Sequence, residues 1–125
     1  MFAFSISVPK KMPTMSTKQA FLKKLNRVVQ QNLSNSELSI ELLAEKMNLS
    51  RSQLHRVLKK FTNLSASHYV RLYRLKVAAK LLQQPNVIIS QVAYRVGFRN
   101  LSYFSKSFKE VFGKTPLEYH DSHNN

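Results

Sequence analysis

The chain has 125 residues, enough for one domain or for two very small ones that share a connector. Twenty lysines and arginines against six acids give a net charge of +14, an excess typical of proteins that bind nucleic acids or anionic membrane surfaces. Hydrophobic residues make up 43% of the chain, which argues against general disorder. The absence of cysteine excludes disulfides, thiol catalysis and the common zinc sites.

The first 15 residues differ from the rest, because they hold two prolines and two lysines and show no helical period. We expect a flexible leader there. Its apolar start, Met1 to Val8, has no basic residue before it, which is not typical of a signal peptide. No apolar run approaches the roughly 20 residues that cross a bilayer, so we expect a cytoplasmic protein without a membrane partner.

Residues 16–121 are predicted to form one all-α domain of about seven helices. Two sequences with capping-box form, Ser16-Thr-Lys-Gln19 and Ser50-Arg-Ser-Gln53, mark helix starts. Ser39 is placed to cap a further helix, and Thr115-Pro-Leu-Glu118 to open the last one. The predicted order is a leader (1–15), a first unit (about 16–63), a connector helix (about 65–84), a second unit (about 87–121) and a tail (122–125).

The connector is predicted as a long helix that starts at Ser65 or Ser67 and ends near Gln84, before Pro85. From Ser67 to Gln84 it would span roughly 27 Å, a length that suits the separation of about 34 Å between successive major grooves of DNA. Its cations are expected to serve partly for solubility; they are Arg71, Arg74, Lys76 and Lys80. Its predicted apolar stripe consists of Val70, Tyr73, Val77, Ala78, Leu81 and Leu82.

An internal repeat relates the two units. A shift of 49 residues places Asn48 on Gly97, and a shift of 50 places Asn63 on Gly113. Glycine and asparagine are the residues that best tolerate the left-handed conformation required where a helix ends in a tight turn. Two helix pairs with such turns predict two helix-turn-helix units. The apolar positions agree, since Ile40, Leu43, Ala44 and Met47 fall on Ile89, Val92, Ala93 and Val96.

In each predicted unit, the second helix should enter a major groove and present its outward face to the base edges. Neither outward face carries an acid, whereas an ordinary solvated face usually mixes both signs. We therefore predict two DNA-reading surfaces, with solvated faces as the alternative. The predicted inward residues are Leu54, Val57, Leu58 and Phe61, and Phe104, Phe108 and Val111. The predicted outward residues are Ser52, His55, Arg56 and Lys59, and Ser102, Ser105, Lys106 and Lys109.

Three features have a second interpretation. Gln53 is suited either to read adenine or to close a capping box on Ser50, and we favour the cap. His55 is placed to donate to a base or a phosphate, or else faces solvent without a role. The group formed by His120, Asp121 and His123 raises the idea of a metal site, but a frayed tail is the expectation because these residues follow the last predicted helix.

Four segments of the chain resemble the AraC/XylS family of bacterial transcription regulators. They are Ser50–Lys60, Arg74–Leu82, Val92–Phe98 and Tyr103–Tyr119, and the similarity extends over about residues 35–120. The resemblance implies a seven-helix DNA-binding domain that acts as an activator more often than as a repressor. It also implies base-reading positions at Ser52, His55, Arg56, Leu101, Ser102 and Lys106. Phosphate contact or positioning is expected of Arg51, Gln53, Lys59, Asn100, Ser105 and Lys109.

The resemblance also bears on partners. Double-stranded promoter DNA and RNA polymerase are expected, and the chain is similar to output domains of hybrid two-component regulators, in which a sensor or receiver precedes. It is thus expected to be either a fragment or a minimal regulator. Three residues depart from the family pattern, with Asn63 in place of glycine, Ala66 in place of proline and His120 in place of arginine. The first two change local backbone stiffness, and the third removes a phosphate or core contact.

Other functional classes fit less well. No glycine-rich phosphate loop, catalytic triad or metal spacing occurs, so we expect no enzyme, cofactor or metal. Glu41 and Glu45 pair at helical spacing within one predicted helix, and support of the helix explains them. A non-specific DNA- or RNA-binding protein would keep the charge without needing two matched faces. A membrane-active helical protein would need a broad exposed apolar face, whereas each predicted stripe here has another helix to cover it.

Overall fold

A computed structural model describes residues 16–124; the expected leader at 1–15 and the final residue lie outside the described residues. Within 16–124 the chain forms seven helices and no strand, which confirms the predicted all-α class. In chain order these helices are α1 (Thr17–Gln31), α2 (Ile40–Lys46), α3 (Arg51–Thr62), α4 (Ala66–Leu82), α5 (Ile89–Arg95), α6 (Leu101–Phe112) and α7 (Pro116–Asn124).

Side-chain caps begin most of these helices, as the sequence predicts. Ser50 accepts a hydrogen bond from the Gln53 amide at 3.1 Å, and Gln53 Oε1 accepts one from the Ser50 amide at 2.9 Å. Ser16 and Gln19 form the same reciprocal pair at the start of α1. Ser65, the first of the two candidates, caps α4 by accepting from the His68 amide. These bonds satisfy amide groups that have no partner within the helix.

The four predicted turn residues adopt the left-handed conformation. The φ angles are +59° at Asn48 and +62° at Asn63, and +93° at Gly97 and +78° at Gly113. Asn63 and Gly113 end the second helix of each unit, and Asn48 and Gly97 lie in the turn between the two helices of each unit. The repeat found in the sequence is therefore also a repeat of backbone geometry. Asn86, in the turn after α4, also has a positive φ, which the repeat did not indicate.

Two hydrophobic cores share the connector α4. The first core lies among α1, α2, α3 and the start of α4, where Ala66 and Val70 are buried. The second lies among α5, α6, α7 and the later part of α4. The predicted single stripe is therefore only partly right, because α4 turns different faces to the two cores and so buries residues around its circumference. Those of the second core are Leu75, Ala78, Ala79 and Leu82.

Two further expectations are wrong. Val111 was expected to point inward but is 44% exposed; the ring of its neighbour Phe112 packs on Phe108 instead, at 4.6 Å between centroids. The tail expected after residue 121 is helical through Asn124. The His120 Nδ1 atom lies 2.8 Å from the Leu82 carbonyl oxygen, so α7 supplies a polar partner to the carbonyl end of the connector.

Arg74 joins the two units. Its Nη2 atom donates to the carbonyl of Asn35, in the loop after α1, at 2.7 Å, and its Nη1 atom lies 3.4 Å from the carbonyl of Gly97 in the second unit. The expectation that Arg74 serves solubility is therefore incomplete, since the side chain is half-buried between two backbone segments. Gly97 leaves no room there, because a Cβ atom would lie 2.4 Å from the Leu33 carbonyl oxygen and 2.7 Å from Arg74 Cζ.

Gly97 and Gly113 provide a matched test of this junction. Both have a positive φ, which alone costs an alanine about 1–2 kcal/mol, but a Cβ at Gly113 meets nothing within 4 Å. We expect Gly97→Ala to lower the free energy of unfolding by at least about 2 kcal/mol more than Gly113→Ala, because the Leu33 backbone must move. Urea unfolding followed by circular dichroism measures the difference. Equal losses would show that the two units are not packed through this turn.

Candidate nucleic-acid interface

The α3 helix presents the predicted polar face. Leu54 and Leu58 are fully buried in the first core and fix the rotation of the helix. The opposite side chains, Ser52, His55, Arg56 and Lys59, are all exposed. Gln53 is also exposed, and its side-chain oxygen is used in the capping box that we favoured. The face thus presents hydrogen-bonding groups and cations to solvent, and only Lys59 among these four side chains makes a hydrogen bond within the described residues, a long one of 3.5 Å from its Nζ atom to the Asn63 carbonyl oxygen.

The α6 helix presents a similar face with two differences. Leu101, Ser102, Lys106 and Lys109 are exposed, and the Asn100 side chain caps the helix by accepting from the Tyr103 amide at 2.8 Å. Ser105, predicted to point outward, is only half-exposed. Glu110, one turn beyond Lys106, is exposed as well, so the acid-free part of the surface ends near Lys109.

Each of these two helices begins beside an arginine that is paired with an acid from the first unit. Arg51, the first residue of α3, forms an ion pair with Glu41 of α2. Arg99, next to the Asn100 cap of α6, pairs with Glu37. All four side chains are more than 60% exposed, so water screens the pairs, and each stabilises the fold by less than about 1 kcal/mol. A phosphate group can therefore replace the carboxylates at small cost.

Arg71 of the connector reaches the start of α6. Its Nη1 atom donates to the Tyr103 hydroxyl oxygen at 2.9 Å, and this hydrogen bond lowers the pKa of Tyr103 from its ordinary value. The sequence does not indicate this contact between the connector and α6. From the sequence Arg71 is expected to serve partly for solubility, since nothing in the local pattern shows that Tyr103, 32 positions away, lies beside it.

Neither a metal-binding group nor a membrane-spanning helix is present in the described part of the chain. Between residues 16 and 124 no group of three or more histidine or acidic side chains is placed to hold a metal ion, and the set at His120, Asp121 and His123 forms none. His123 Nδ1 instead lies 2.8 Å from the Tyr119 carbonyl oxygen, within α7. No helix in the same part of the chain is long and apolar enough to cross a membrane.

A family model described as a helix-turn-helix domain matches residues 43–122, and the two helix pairs described above lie largely within that range. The chain belongs to the AraC family of DNA-binding domains. Such domains bind specific DNA sequences in the regulation of transcription, and the family resemblance read from the sequence is thereby confirmed.

Three similar proteins illustrate where this AraC-type domain occurs. Histidine kinase P4 of Formosa agariphila is 33% identical over 89% of this chain and 8% of its own length. The transcriptional activator RhaR of an Enterobacter species is 31% identical over 86% of this chain and 38% of its own length. The C-terminal domain of AraT, a response regulator from Geobacillus stearothermophilus, is 31% identical with a TM-score of 0.76, over 86% of this chain and 88% of that domain. The chain thus spans less than two fifths of either full-length relative.

The ion pair at Arg51 predicts that Glu41 competes with DNA phosphates. In the Glu41→Gln variant Arg51 is free, and we expect affinity for random-sequence DNA to rise about two- to fivefold at low salt, within the energy of an exposed ion pair. Glu45→Gln is the matched control, because Glu45 lies on the same helix and forms no ion pair among the described residues. Fluorescence anisotropy with a labelled duplex measures both. Equal increases for the two variants would mean that only net charge matters.

Proposed function

We propose that this AraC-type domain binds a specific double-stranded promoter site with α3 in one major groove and α6 in the next. The observation that carries the proposal is the pair of exposed, cationic helix faces held by one connector. The 17 residues of α4 correspond to about 25 Å, and adjacent major grooves on one side of DNA are about 34 Å apart. Because the connector takes part in both cores, it is suited to keep that spacing fixed.

Within each groove we assign base reading to the exposed side chains near the start of the helix. Arg56 is the strongest candidate, since its planar guanidinium pairs bidentately with guanine. Leu101 is 38% exposed, which suits contact with a thymine methyl group. The other proposed base-reading residues are Ser52, His55, Ser102 and Lys106. Those proposed to contact phosphates or to position the helices are Arg51, Gln53, Lys59, Asn100, Ser105 and Lys109.

In the complete regulator, we propose that the domain activates transcription through contact with RNA polymerase, under control of a sensor or receiver domain. Support comes from the relatives, which include a protein named as an activator and a response regulator, and from the small share of their length that this chain spans. Since the proposed ligand is bacterial promoter DNA, we place its action in the cytoplasm. We propose no enzymatic activity for the domain.

Arg56 and Lys59 separate base reading from anchoring, because they lie on the same exposed face of α3. We expect Arg56→Ala to cost about 1–3 kcal/mol on the site selected from a random DNA pool, and much less on unrelated DNA. Lys59→Ala should weaken binding to all sequences about equally and reduce the salt slope by about one. Titrations at several salt concentrations measure both effects. If Arg56→Ala lowered the affinity for both DNAs by the same factor, Arg56 would contribute to binding without reading the base sequence.

The connector also predicts the stoichiometry. One chain already carries two groove-binding helices, so we expect a single chain to occupy a site of about two helical turns. Native mass spectrometry of the complex with the selected duplex gives the ratio directly. Two chains on one asymmetric site would contradict the proposed use of both helices by one molecule. A chain without any enriched sequence in the selection would instead favour the non-specific nucleic-acid-binding alternative.

A further inference from the structure

A hollow of about 400 Å³ lies between the two units, beside the connector. Its floor is apolar and includes Leu43, Val70 and Phe98. Polar residues also line it, among them three arginines, Arg71, Arg74 and Arg99, together with serines, Asn100 and Tyr103. Among the described residues no acid lines it, although Glu37 pairs with the lining residue Arg99. A concave surface lined by three arginines, of which only Arg99 is paired with an acid in the part of the chain that the structure describes, is suited to an anion.

Together with a neighbouring hollow, it extends from one recognition helix to the other. At one end it is lined by Asn100 and Tyr103, at the start of α6. At the other end it meets a second hollow of about 340 Å³, with which it shares Ile40 and Ser67. That second hollow is lined by the first turns of α3, through Arg51, Ser52 and His55. The two together form a surface that runs between the helices proposed to enter adjacent grooves.

We infer that this surface, which we call the central hollow, binds backbone phosphates of the DNA segment between the two major grooves, with Arg71 as their principal ligand. The inference rests on the proposed function, since it requires α3 and α6 to occupy neighbouring grooves. With the two helices so placed, the sugar–phosphate strand between the grooves passes the surface that joins them.

The three arginines differ in how free they are to meet a phosphate. Arg74 donates to two backbone carbonyls and is needed for the junction. Arg99 is paired with Glu37. Arg71 donates to a neutral phenol, Tyr103, at 2.9 Å, in a side chain that is only half-buried. A hydrogen bond to an ionised phosphate is stronger than one to a neutral hydroxyl. Of the three arginines, Arg71 therefore gains the most binding energy when it exchanges its present partner for a DNA phosphate.

The test compares Arg71→Ala with Lys80→Ala on the selected DNA site. Both variants remove one positive charge from α4, but Lys80 is exposed and does not line the central hollow. We expect Arg71→Ala to lower affinity about 5- to 30-fold and to reduce the salt slope by about one, and Lys80→Ala to change affinity less than twofold. Tyr103→Phe, which removes only the hydroxyl that holds Arg71, should leave affinity unchanged or raise it.

Neutral methylphosphonates at the phosphates between the two half-sites identify the contact. On that duplex Arg71→Ala should cause no further loss, whereas an equal loss on both duplexes would overturn the inference. Equal thermal unfolding of wild type and Arg71→Ala, together with partial recovery in Arg71→Lys, separates lost contact from lost folding. If Arg71→Ala does not fold, the test uses Arg71→Lys and the wild-type chain, each measured on the methylphosphonate duplex. If the wild-type chain binds that duplex as tightly as the unmodified one, the inference is wrong.

A free small anion is the other source of the same chemistry. Isothermal titration of the wild-type chain with inorganic pyrophosphate, without DNA, should detect no saturable binding. Saturable binding that is lost in Arg71→Ala would overturn the inference and assign the central hollow to a small ligand instead. The proposed function is tested by a different result: it is wrong if the wild-type chain enriches no preferred sequence from a random DNA pool. If it selects one but Arg71 and Lys80 variants bind it alike, only the inference about the central hollow is wrong.

Discussion

The arrangement of the two units depends on one guanidinium group. Arg74 donates to a carbonyl of each unit, at Asn35 and at Gly97, and its half-burial lowers its pKa from the ordinary value. A guanidinium nevertheless remains charged at any physiological pH. Among the described residues its Nε atom has no hydrogen-bond partner and is buried, so the side chain contributes to stability only while both carbonyls hold it. Displacement of either unit would leave the Arg74 guanidinium partly buried without its hydrogen-bond partners, which raises the free energy of the protein.

That constraint gives the connector its mechanical role. A helix that merely linked two folded units would leave their relative rotation free, and two recognition helices would then meet DNA independently. Here α4 is also tied to α1, because the hydroxyl groups of Tyr69 and Tyr73 bond to Asn26 at 2.6 Å and to Gln30 at 2.9 Å. With the second core built on its later half, the helix fixes both units, and the entropy of orienting them is lost during folding rather than on binding DNA.

The parts of the fold that could be predicted from the sequence are those fixed by near neighbours. Capping at Ser16 and Ser50 depends on residues three positions away, and left-handed turns at Asn48 and Gly97 on single residue types, so local rules suffice. The contacts of Arg71 and Arg74 depend instead on how distant segments meet. The single apolar stripe predicted for α4 is incomplete, because two cores bury residues on different faces of the helix and so remove the periodicity on which that prediction relies. Likewise α7 is helical through Asn124 because its polar side chains meet the end of α4, a contact that composition could not reveal.

The two repeats differ most where one of them touches the other. Asn48 and Gly97 occupy the same place in the two units, but Asn48 is exposed and Gly97 is buried. Asparagine suffices at the first turn because only the positive φ must be accommodated. At the second turn Leu33 and Arg74 fill the space that a side chain would need. At the other matched pair, Asn63 and Gly113, both turns are exposed and a Cβ at Gly113 meets nothing. Glycine at position 97 is therefore required by the junction between the two units rather than by the helix-turn-helix itself. It is the turn of the second unit that carries the residue needed for the two units to pack together.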